Sequence, residues 1–261
     1  MQSFCFNKSL LLPDIHGRKF WKEACTDISG YDRVIFLGDY LDPYDFEYIS
    51  VDEAIENFKE IISFKKKNME KVVLLLGNHD MPYAFRDYYE FSSWHCLHSS
   101  MHHDEISKLF EDNMKLFGIC HVEGNVIFTH AGIDGGWLKE SVKYDGDDMN
   151  EISVALNKLT SDKYGLLKLF KITRNRGGND RYGSCIWTDL HNMLSGRSMK
   201  GIESLKQVFG HTLQVFYSGS GEIVYGNAIE QGNLKMIDTA NAYELDTEKF
   251  EIKSLRYKGA V

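Results

Sequence analysis

The chain lacks the features that mark membrane and secreted proteins. Only 3 of its 261 residues are prolines, and no apolar run approaches the roughly 18 residues that a membrane-spanning helix needs. Its N-terminus has no basic segment followed by a long apolar stretch, so no secretory signal is predicted. We therefore expect a cytoplasmic protein without membrane contact.

The chain has five cysteines, and their spacing excludes proteins that bind zinc or exchange disulfides through Cys-x-x-Cys pairs. Cys-x-x-Cys pairs, which bind zinc or exchange disulfides, are absent from the sequence. The cysteines are Cys5, Cys25, Cys96, Cys120 and Cys185. An odd number at scattered positions is typical of reduced, mostly buried thiols.

Positive charge is also in deficit. The sequence has 30 Lys and Arg against 38 Asp and Glu, a formal charge of −8 with its 10 histidines counted as neutral. Nonspecific binding to DNA or RNA needs a surplus of cations, so we do not expect it. With 43% hydrophobic and 26% charged residues the composition is globular, and histidines with carboxylates are also the side chains that bind transition metals.

Short apolar runs alternate with helical patterns in the first half of the chain, as in layered α/β structure. A Ser50–Glu53 capping box begins one predicted helix, which ends at the lysines 65–67. The other predicted helices are 105–117, 150–159 and 164–172. The predicted strands are 10–12, 34–37, 72–76, 126–128, 208–209, 213–217, 222–224 and 234–237, with a hairpin turn at 124–125. The simplest organisation is a single domain over 1–261 with a helical, Arg-rich insertion around 135–200.

Five of the predicted strands end in side chains that can bind a metal. They are Asp14 with His16, Asp39, Asn78 with His79, His130, and His211. Ligand sites in α/β proteins form at the carboxyl ends of strands, so we expect these side chains to lie close together. Gly38, Gly77 and Gly210 precede three of them, where a residue without Cβ lets the backbone turn sharply.

The motifs that carry these residues are DxH, GDxxD, GNHD, HAG and GHT, and together they resemble the calcineurin-like metallophosphoesterases. Within that family GDYLD, GNHD, IWTD and the tail 232–242 are similar to the phosphoprotein-phosphatase branch. The resemblance covers residues 14–242. It implies a four-layer α/β/β/α sandwich with a dinuclear metal site at the strand ends, and a hydrolase that acts on phosphoric esters.

Transferred motif by motif, the resemblance implies two metal ions. Their ligands would be Asp14 and His16 for the first ion, Asn78, His130 and His211 for the second, and Asp39 as a bridge. Two ions roughly 3.5–4 Å apart can activate a bridging hydroxide and offset the charge that develops on phosphorus. We expect Mn²⁺, although Fe, Zn or Co also suit these ligands, since ligand type alone does not distinguish them.

The same resemblance implies a general acid. His79 would donate a proton to the leaving-group oxygen, and Asp42, the second acid of GDxxD, would hold the imidazole in its protonated form.

The sequence departs from the protein phosphatases where they bind the substrate phosphate. Pro43 stands where their GDxxDRG motif has Arg, and the residue before GNHD is Leu76 instead of Arg. We predict that Arg174, Arg176 and Arg181, in a glycine-flanked stretch, contact the phosphate instead. A solvated surface loop is the alternative interpretation.

The expected function is hydrolysis of phosphate monoesters, as in Ser/Thr protein phosphatases, on a phosphorylated small molecule, nucleotide or phosphoprotein. One alternative is a nucleotide or dinucleoside polyphosphate (Ap4A-type) hydrolase, because its motif order is similar. Another is a noncatalytic, metal-supported binding module, and a nucleic-acid phosphodiesterase ranks lower because the chain is acidic. The histidine-rich segment 95–103 is predicted to be a lid or recognition loop and not a third metal site.

Overall fold

Thirteen strands and eight α-helices occur in residues 7–87 and 102–255, which are the parts of the chain described by this computed structural model. The strands are β1 (Lys8–Leu12), β2 (Arg33–Phe36), β3 (Val72–Leu75), β4 (Phe117–Gly118), β5 (Cys120–Glu123), β6 (Val126–Thr129), β7 (Lys206–Phe209), β8 (Val215–Tyr217), β9 (Ile223–Tyr225), β10 (Ile229–Gln231), β11 (Leu234–Met236), β12 (Ala242–Asp246) and β13 (Glu251–Leu255). The helices are α1 (Phe20–Ala24), α2 (Val51–Lys67), α3 (Met81–Ala84), α4 (His103–Asn113), α5 (Gly135–Trp137), α6 (Met149–Asn157), α7 (Lys163–Leu169) and α8 (Leu190–Leu194).

Two sheets contain most of the strands. The first has six strands in the order β13-β12-β1-β2-β3-β4, of which the four from β1 to β4 run parallel. The second has five strands in the order β10-β11-β7-β6-β5, with a parallel core of β11, β7 and β6. β8 and β9 form a separate antiparallel hairpin. The carboxyl ends of parallel strands lie at the same edge of a sheet, so the loops that follow these strands lie on one side of each sheet.

Side chains that alternate along the strands fill the space on both faces of the first sheet. Leu11 of β1 packs with Phe128 and Val208 between the two sheets. Its neighbours Leu10 and Leu12 belong to the apolar cluster that contains residues of α2 and α4. Strands buried on both faces are expected to be continuously apolar, which explains the short runs in the sequence.

A third cluster lies on the outer side of the second sheet, where Phe209 and Met236 pack with Met193 and Met199. The order of layers is therefore helices, sheet, sheet and helices. The predicted four-layer α/β/β/α sandwich is confirmed.

Helix α2 begins as the sequence predicts. The Ser50 hydroxyl accepts a hydrogen bond from the Glu53 N–H at 3.3 Å, and the Glu53 carboxylate accepts one from the Ser50 N–H at 3.0 Å. This reciprocal pair satisfies two N–H groups that the first helical turn leaves free. Ile55, Phe58 and Ile62 then place one apolar stripe in the core.

Other boundaries differ from the prediction. The helix expected over 105–117 ends at Asn113, because Phe117 already pairs with Leu74 in the first sheet. Eight elements were not predicted from the sequence, namely α1, α3, α5, α8, β4, β10, β12 and β13. Three cysteines, Cys25, Cys120 and Cys185, are free and buried, and no helix in the described ranges is long and apolar enough to cross a membrane.

Candidate metal centre

Loops from both sheets meet at one edge of the sandwich. Asp14 and His16 follow β1, Asp39 follows β2, and Asn78 and His79 follow β3 in the first sheet. His130 and His211 follow β6 and β7 in the second. Contacts between these side chains cross from one sheet to the other.

Asp39 lies at the centre of this arrangement. Its Oδ2 is 3.6 Å from Nε2 of His16 and 3.3 Å from Nε2 of His130, while its Oδ1 accepts a hydrogen bond from the His79 N–H at 2.9 Å. Two groups of potential metal-binding atoms, each within 4.8 Å, share this carboxylate: His16, Asp39 and His79, and Asp39, His130 and His211. A carboxylate common to two such groups can bridge two cations.

Asn78 completes the second group. Its Oδ1 is 2.8 Å from Nε2 of His130 and 2.7 Å from Nδ1 of His211. The two imidazole nitrogens are 3.1 Å apart. The Nδ1–H of His130 donates to the Leu37 carbonyl at 2.9 Å, which leaves Nε2 available for a metal ion, as in most metal-binding histidines.

His16 is oriented in the same way on the other side of Asp39. Its Nδ1–H donates to the carbonyls of Leu41 and Asp42 at 2.8 and 2.9 Å, so its Nε2 is available to an ion. Asp14 joins the two sheets, since both its carboxylate oxygens lie 3.0 Å from the donating N–H nitrogen of His211. Burial raises the pKa of Asp14 to about 6.

Asp238 is a buried carboxylate at the same edge that the sequence analysis did not single out. It lies two residues beyond Met236, which pairs in parallel with Phe209, and His211 lies two residues beyond Phe209. Asp238 is 1% exposed, and among the described residues neither of its carboxylate oxygens has a hydrogen-bond partner. Burial and then the negative charge of Asp14 raise its pKa well above the ordinary value.

These buried atoms fit positively charged ligands. A buried carboxylate without a partner is costly, and here Asp14, Asp39 and Asp238 are buried together. The Nε2 of His211 is also buried without a hydrogen-bond partner in the described part of the chain. The donor set of imidazole, carboxylate and amide oxygen therefore suits two divalent transition-metal ions.

Without an ion, protons on the imidazoles compensate for the carboxylates. Burial alone opposes protonation of His130, but the charges of Asp39 and Asp14 outweigh it and raise the pKa of His130 to about 10. Burial likewise opposes ionisation of Asp39, yet His130 and His79 hold the pKa of Asp39 below its ordinary value. Burial and the charge of Arg176 hold the pKa of His211 well below its usual range.

His79 and Asp42 form a hydrogen-bonded pair beside the candidate ligands at this edge of the sandwich, which we call the metal-binding edge. It is defined by Asp14, His16, Asp39, Asn78, His130 and His211. The Nδ1–H of His79 donates to Oδ2 of Asp42 at 3.0 Å, and Oδ1 of Asp42 accepts from the Tyr83 hydroxyl at 2.6 Å. Burial opposes protonation of His79, but Asp39 and then Asp42 raise its pKa to about 9. The side chain of His79 is 12% exposed, so a protonated imidazole at neutral pH has access to solvent.

The backbone at this edge is strained. His16, Asp39, Asp42 and His211 have φ angles of 43°, 52°, 57° and 70°, in the left-handed region that residues other than glycine rarely adopt. Such conformations persist only where the surroundings impose them, and they cluster at functional sites.

Asp80 is one of the groups that hold this backbone. Its carboxylate accepts hydrogen bonds from the N–H groups of Gly77 and Asp39 at 2.8 Å and from that of Tyr40 at 3.0 Å. The loops after β2 and β3 are thereby tied together. Gly77 also lies so close that a Cβ there would overlap Oδ1 of Asp39, which explains why this position has no side chain.

The three predicted phosphate-binding arginines do not lie together. Arg176 reaches the metal-binding edge, where it donates a hydrogen bond to the hydroxyl of Thr212, the residue after His211. Its Nε is 3.7 Å from Asp189. Arg174 and Arg181 are exposed and line a separate cavity of about 760 Å³.

Arg18 is another cation at this edge, and it was not among the predicted site residues. It is 3% exposed, its Nε donates to Glu47 at 2.6 Å, and its Nη1 donates to the Asp14 carbonyl at 3.0 Å. Nothing local in the sequence marks Arg18, because its partner Glu47 lies 29 residues away. His95 and His98 of the histidine-rich segment lie outside the described residues.

The fold and the carboxylate-linked imidazole groups are those of a metal-dependent hydrolase. The chain belongs to the calcineurin-like phosphoesterase family, whose model matches residues 8–214. It is therefore a hydrolase that acts on phosphoric ester bonds, in a family that depends on a dinuclear metal centre. No curated protein matches the sequence closely enough to count as a relative.

Two solved structures share the fold. A protein serine/threonine phosphatase from Saccharomyces cerevisiae superposes with a TM-score of 0.54 at 12% identity, over 98% of this chain and 82% of its own. A cold-active protein-tyrosine phosphatase of a psychrophilic Shewanella species gives 0.51 at 13% identity, over 95% and 80%. At such low identity these similarities establish the architecture and not the substrate.

Proposed function

We propose that this chain is a metal-dependent phosphomonoesterase of the protein-phosphatase type, in which His79 is the general acid. The observation that carries the proposal is the His79–Asp42 hydrogen bond, at 3.0 Å, directly beside the carboxylate shared by the two metal-binding groups. A proton donor next to a cation site is what cleavage of a phosphate ester with a poor leaving group requires.

The residues that would hold the ions come from the two groups together with Asp14 and Asn78, while His79 is left as the proton donor. Asp14, His16 and Asp39 would bind one ion, and Asn78, His130 and His211 the other, with Asp39 common to both. When bound, the ions would activate water for attack and offset the negative charge that develops on the phosphoryl oxygens. Mn²⁺ is the first metal to test, with Fe, Zn and Co as alternatives.

His79 and Asp42 have different roles in proton transfer, since His79 donates the proton and Asp42 orients the imidazole. Asp42 accepts from Nδ1 of His79, which fixes the ring and leaves Nε2 as the atom that donates to the leaving-group oxygen. With a pKa of about 9, His79 is in the acid form at neutral pH. Tyr83 donates to the second oxygen of Asp42 and thereby fixes the carboxylate.

Arg176 is the cation best placed to orient the phosphate. It is the one member of the predicted trio whose side chain bonds to the residue next to His211. Its guanidinium is partly buried, and Nε has no hydrogen-bond partner in the described ranges, so a donor remains for a phosphate oxygen. It would thus replace the arginine that the sequence lacks at Pro43.

Turnover of para-nitrophenyl phosphate against its bis-ester, with Mn²⁺ added, tests this function. We expect clear preference for the monoester. Preference for the bis-ester would identify a phosphodiesterase, and turnover of neither by a metal-loaded chain would indicate a binding module. Phosphoserine and phosphothreonine peptides compared with dinucleoside tetraphosphates would then distinguish a protein phosphatase from the nucleotide hydrolase.

A further inference from the structure

A cavity separate from the metal-binding edge is lined by Arg174 and Asn175, the two residues that precede Arg176. It has a volume of about 760 Å³, and none of the candidate metal ligands lines it. Its basic side chains come from the short 3₁₀ helix at Arg174–Arg176, the following loop, and the turn after α8. We call it the arginine cavity, defined by Arg174, Arg181, Arg197 and Lys200.

The cations of this cavity are not neutralised by the protein. Among the described residues, the side chains of Arg174, Arg197 and Lys200 form no hydrogen bond or ion pair, and all three are exposed. Arg181 is 78% exposed, and its nearest carboxylate, that of Glu140, is 3.9 Å away. An exposed pair at that distance contributes little.

The two acids of the cavity wall are already engaged. Asp180 accepts from Nζ of Lys171 at 2.7 Å and from the Ile172 N–H at 3.1 Å. Asp134 caps α5, accepting from the Gly136 N–H at 2.8 Å, and also accepts from the Ser198 hydroxyl. The cavity is therefore locally positive in a chain of net charge −8, which favours an anionic ligand.

A buried hydroxyl in the wall provides independent support. Thr173 lines the cavity and is 2% exposed, yet its Oγ1 has no hydrogen-bond partner within the described part of the chain. Buried hydroxyl groups normally have a partner, and one without a partner costs free energy. A ligand oxygen in the cavity would satisfy this donor.

The cavity and the metal-binding edge share the 3₁₀ helix. Arg174 lines the cavity, whereas Arg176 donates a hydrogen bond to Thr212, the residue after His211. The Cα atoms of residues two apart are separated by at most about 7 Å. The cavity and the metal-binding edge are therefore connected through one short 3₁₀ helix.

We propose that the arginine cavity binds a phosphate group other than the one that is hydrolysed. Guanidinium groups donate paired hydrogen bonds to phosphate oxygens, and the cavity has three of them with one ammonium group. The phosphate has two chemical sources, a second phosphate of the substrate and free inorganic phosphate. The first source rests on the proposed phosphomonoesterase function, and the second does not.

Direct binding tests the site without any turnover. Sodium tripolyphosphate and inorganic phosphate are each titrated calorimetrically into the full-length chain in EDTA. For Arg197→Gln/Lys200→Gln we expect affinity for tripolyphosphate to fall about tenfold or more, since two charge-assisted contacts are lost. The control Lys66→Gln/Lys67→Gln, at the exposed end of α2, removes the same charge and should stay within about twofold. Equal affinity in both double variants would overturn the proposal.

Thr173→Val tests the buried hydroxyl without changing charge. We expect tripolyphosphate to bind about threefold more weakly, since one neutral hydrogen bond is lost. Without the anion the variant should unfold at the same urea concentration as the wild type or a higher one, because the lost hydroxyl had no partner. Unchanged affinity would exclude this hydroxyl from the site.

Kinetics of the Mn²⁺-loaded enzyme separate the two sources. The substrates are a peptide with two neighbouring phosphoserines and the same peptide with one. If the second phosphate of the substrate occupies the cavity, the ratio of their KM values changes about tenfold in Arg197→Gln/Lys200→Gln relative to the lysine control. If only the titrated anions bind more weakly, free phosphate is the occupant. An inactive enzyme would contradict the proposed function and leave the binding result intact.

Discussion

The metal-binding edge and the arginine cavity are neighbours built in opposite ways. At the edge, Asp14, Asp39 and Asp238 are each at most 2% exposed and lie on short loops after strands. In the cavity, the positive charges are guanidinium and ammonium groups on exposed residues between α7 and β7. Buried charges need a partner of opposite sign inside the protein, whereas exposed cations are stabilised by water. The edge should therefore be sensitive to single substitutions, and the cavity tolerant of them.

The largest effect is expected for Asp39→Asn. Asp39 is the group shared by both sets of metal-binding atoms, so the variant should lose both ions and its phosphatase activity. The loss should exceed the roughly 10–100-fold that follows removal of a residue that merely hydrogen-bonds to a metal ligand. Metal analysis by mass spectrometry and turnover of para-nitrophenyl phosphate are the measurements. Asp145→Asn, 72% exposed, is the control, and two retained ions would contradict the prediction.

His79→Asn should separate catalysis from metal binding. We expect metal content to be unchanged and kcat to fall by about 10²–10⁴-fold, the usual contribution of a general acid. The loss should be larger for alkyl phosphates than for para-nitrophenyl phosphate, because a poorer leaving group depends more on the proton. Full activity on an alkyl phosphate would show that His79 has another role.

Asp42→Asn should move the pH profile. Asp39 and then Asp42 raise the pKa of His79, so its acid form, and with it kcat, is present below the raised pKa and is lost above it. Without the Asp42 charge the pKa of His79 falls, and the alkaline limb of kcat should move to lower pH by about one unit. Asp45→Asn, an exposed acid three residues on, serves as the control. If the alkaline limb of kcat falls at the same pH in Asp42→Asn as in the wild type, Asp42 does not raise the pKa of His79.

The smallest effect is expected for Arg181→Gln in the arginine cavity. Because this side chain is 78% exposed, the free energy of unfolding should change by less than about 0.5 kcal/mol. Urea denaturation measures it, with Asp39→Asn in parallel. A decrease in the free energy of unfolding of more than 1 kcal/mol, about the mean for all substitutions, would show that the arginine cavity is not tolerant of substitution.

The sequence predicted the metal-binding edge better than its surroundings, for a physical reason. The carboxyl ends of parallel strands lie at the same edge of a sheet. Asp14, Asp39 and His130 could therefore be expected to lie close together without knowledge of any contact. Asp238 follows the same rule at the end of β11 and could have been found by it. β12 and β13 were missed because they follow that strand without a strong apolar run of their own.

The directions of the Arg174 and Arg176 side chains could not be predicted from the local sequence pattern. A 3₁₀ helix has three residues per turn, so side chains two apart point in directions about 120° from each other around the axis. Arg174 and Arg176 therefore face different regions, and the sequence contains no sign of which one faces the metal-binding edge. The direction of Arg176 depends on its contacts with Thr212 and Asp189, which the local pattern around the arginines does not reveal.

The protonated state of His130 has a consequence for how the enzyme acquires its metal. With a pKa of about 10, this imidazole holds a proton between Asp39 and Asp14 when no ion is bound. A metal ion binds the neutral imidazole, so it has to displace that proton. Metal loading is therefore expected to release a proton, so metal affinity should rise as the pH rises.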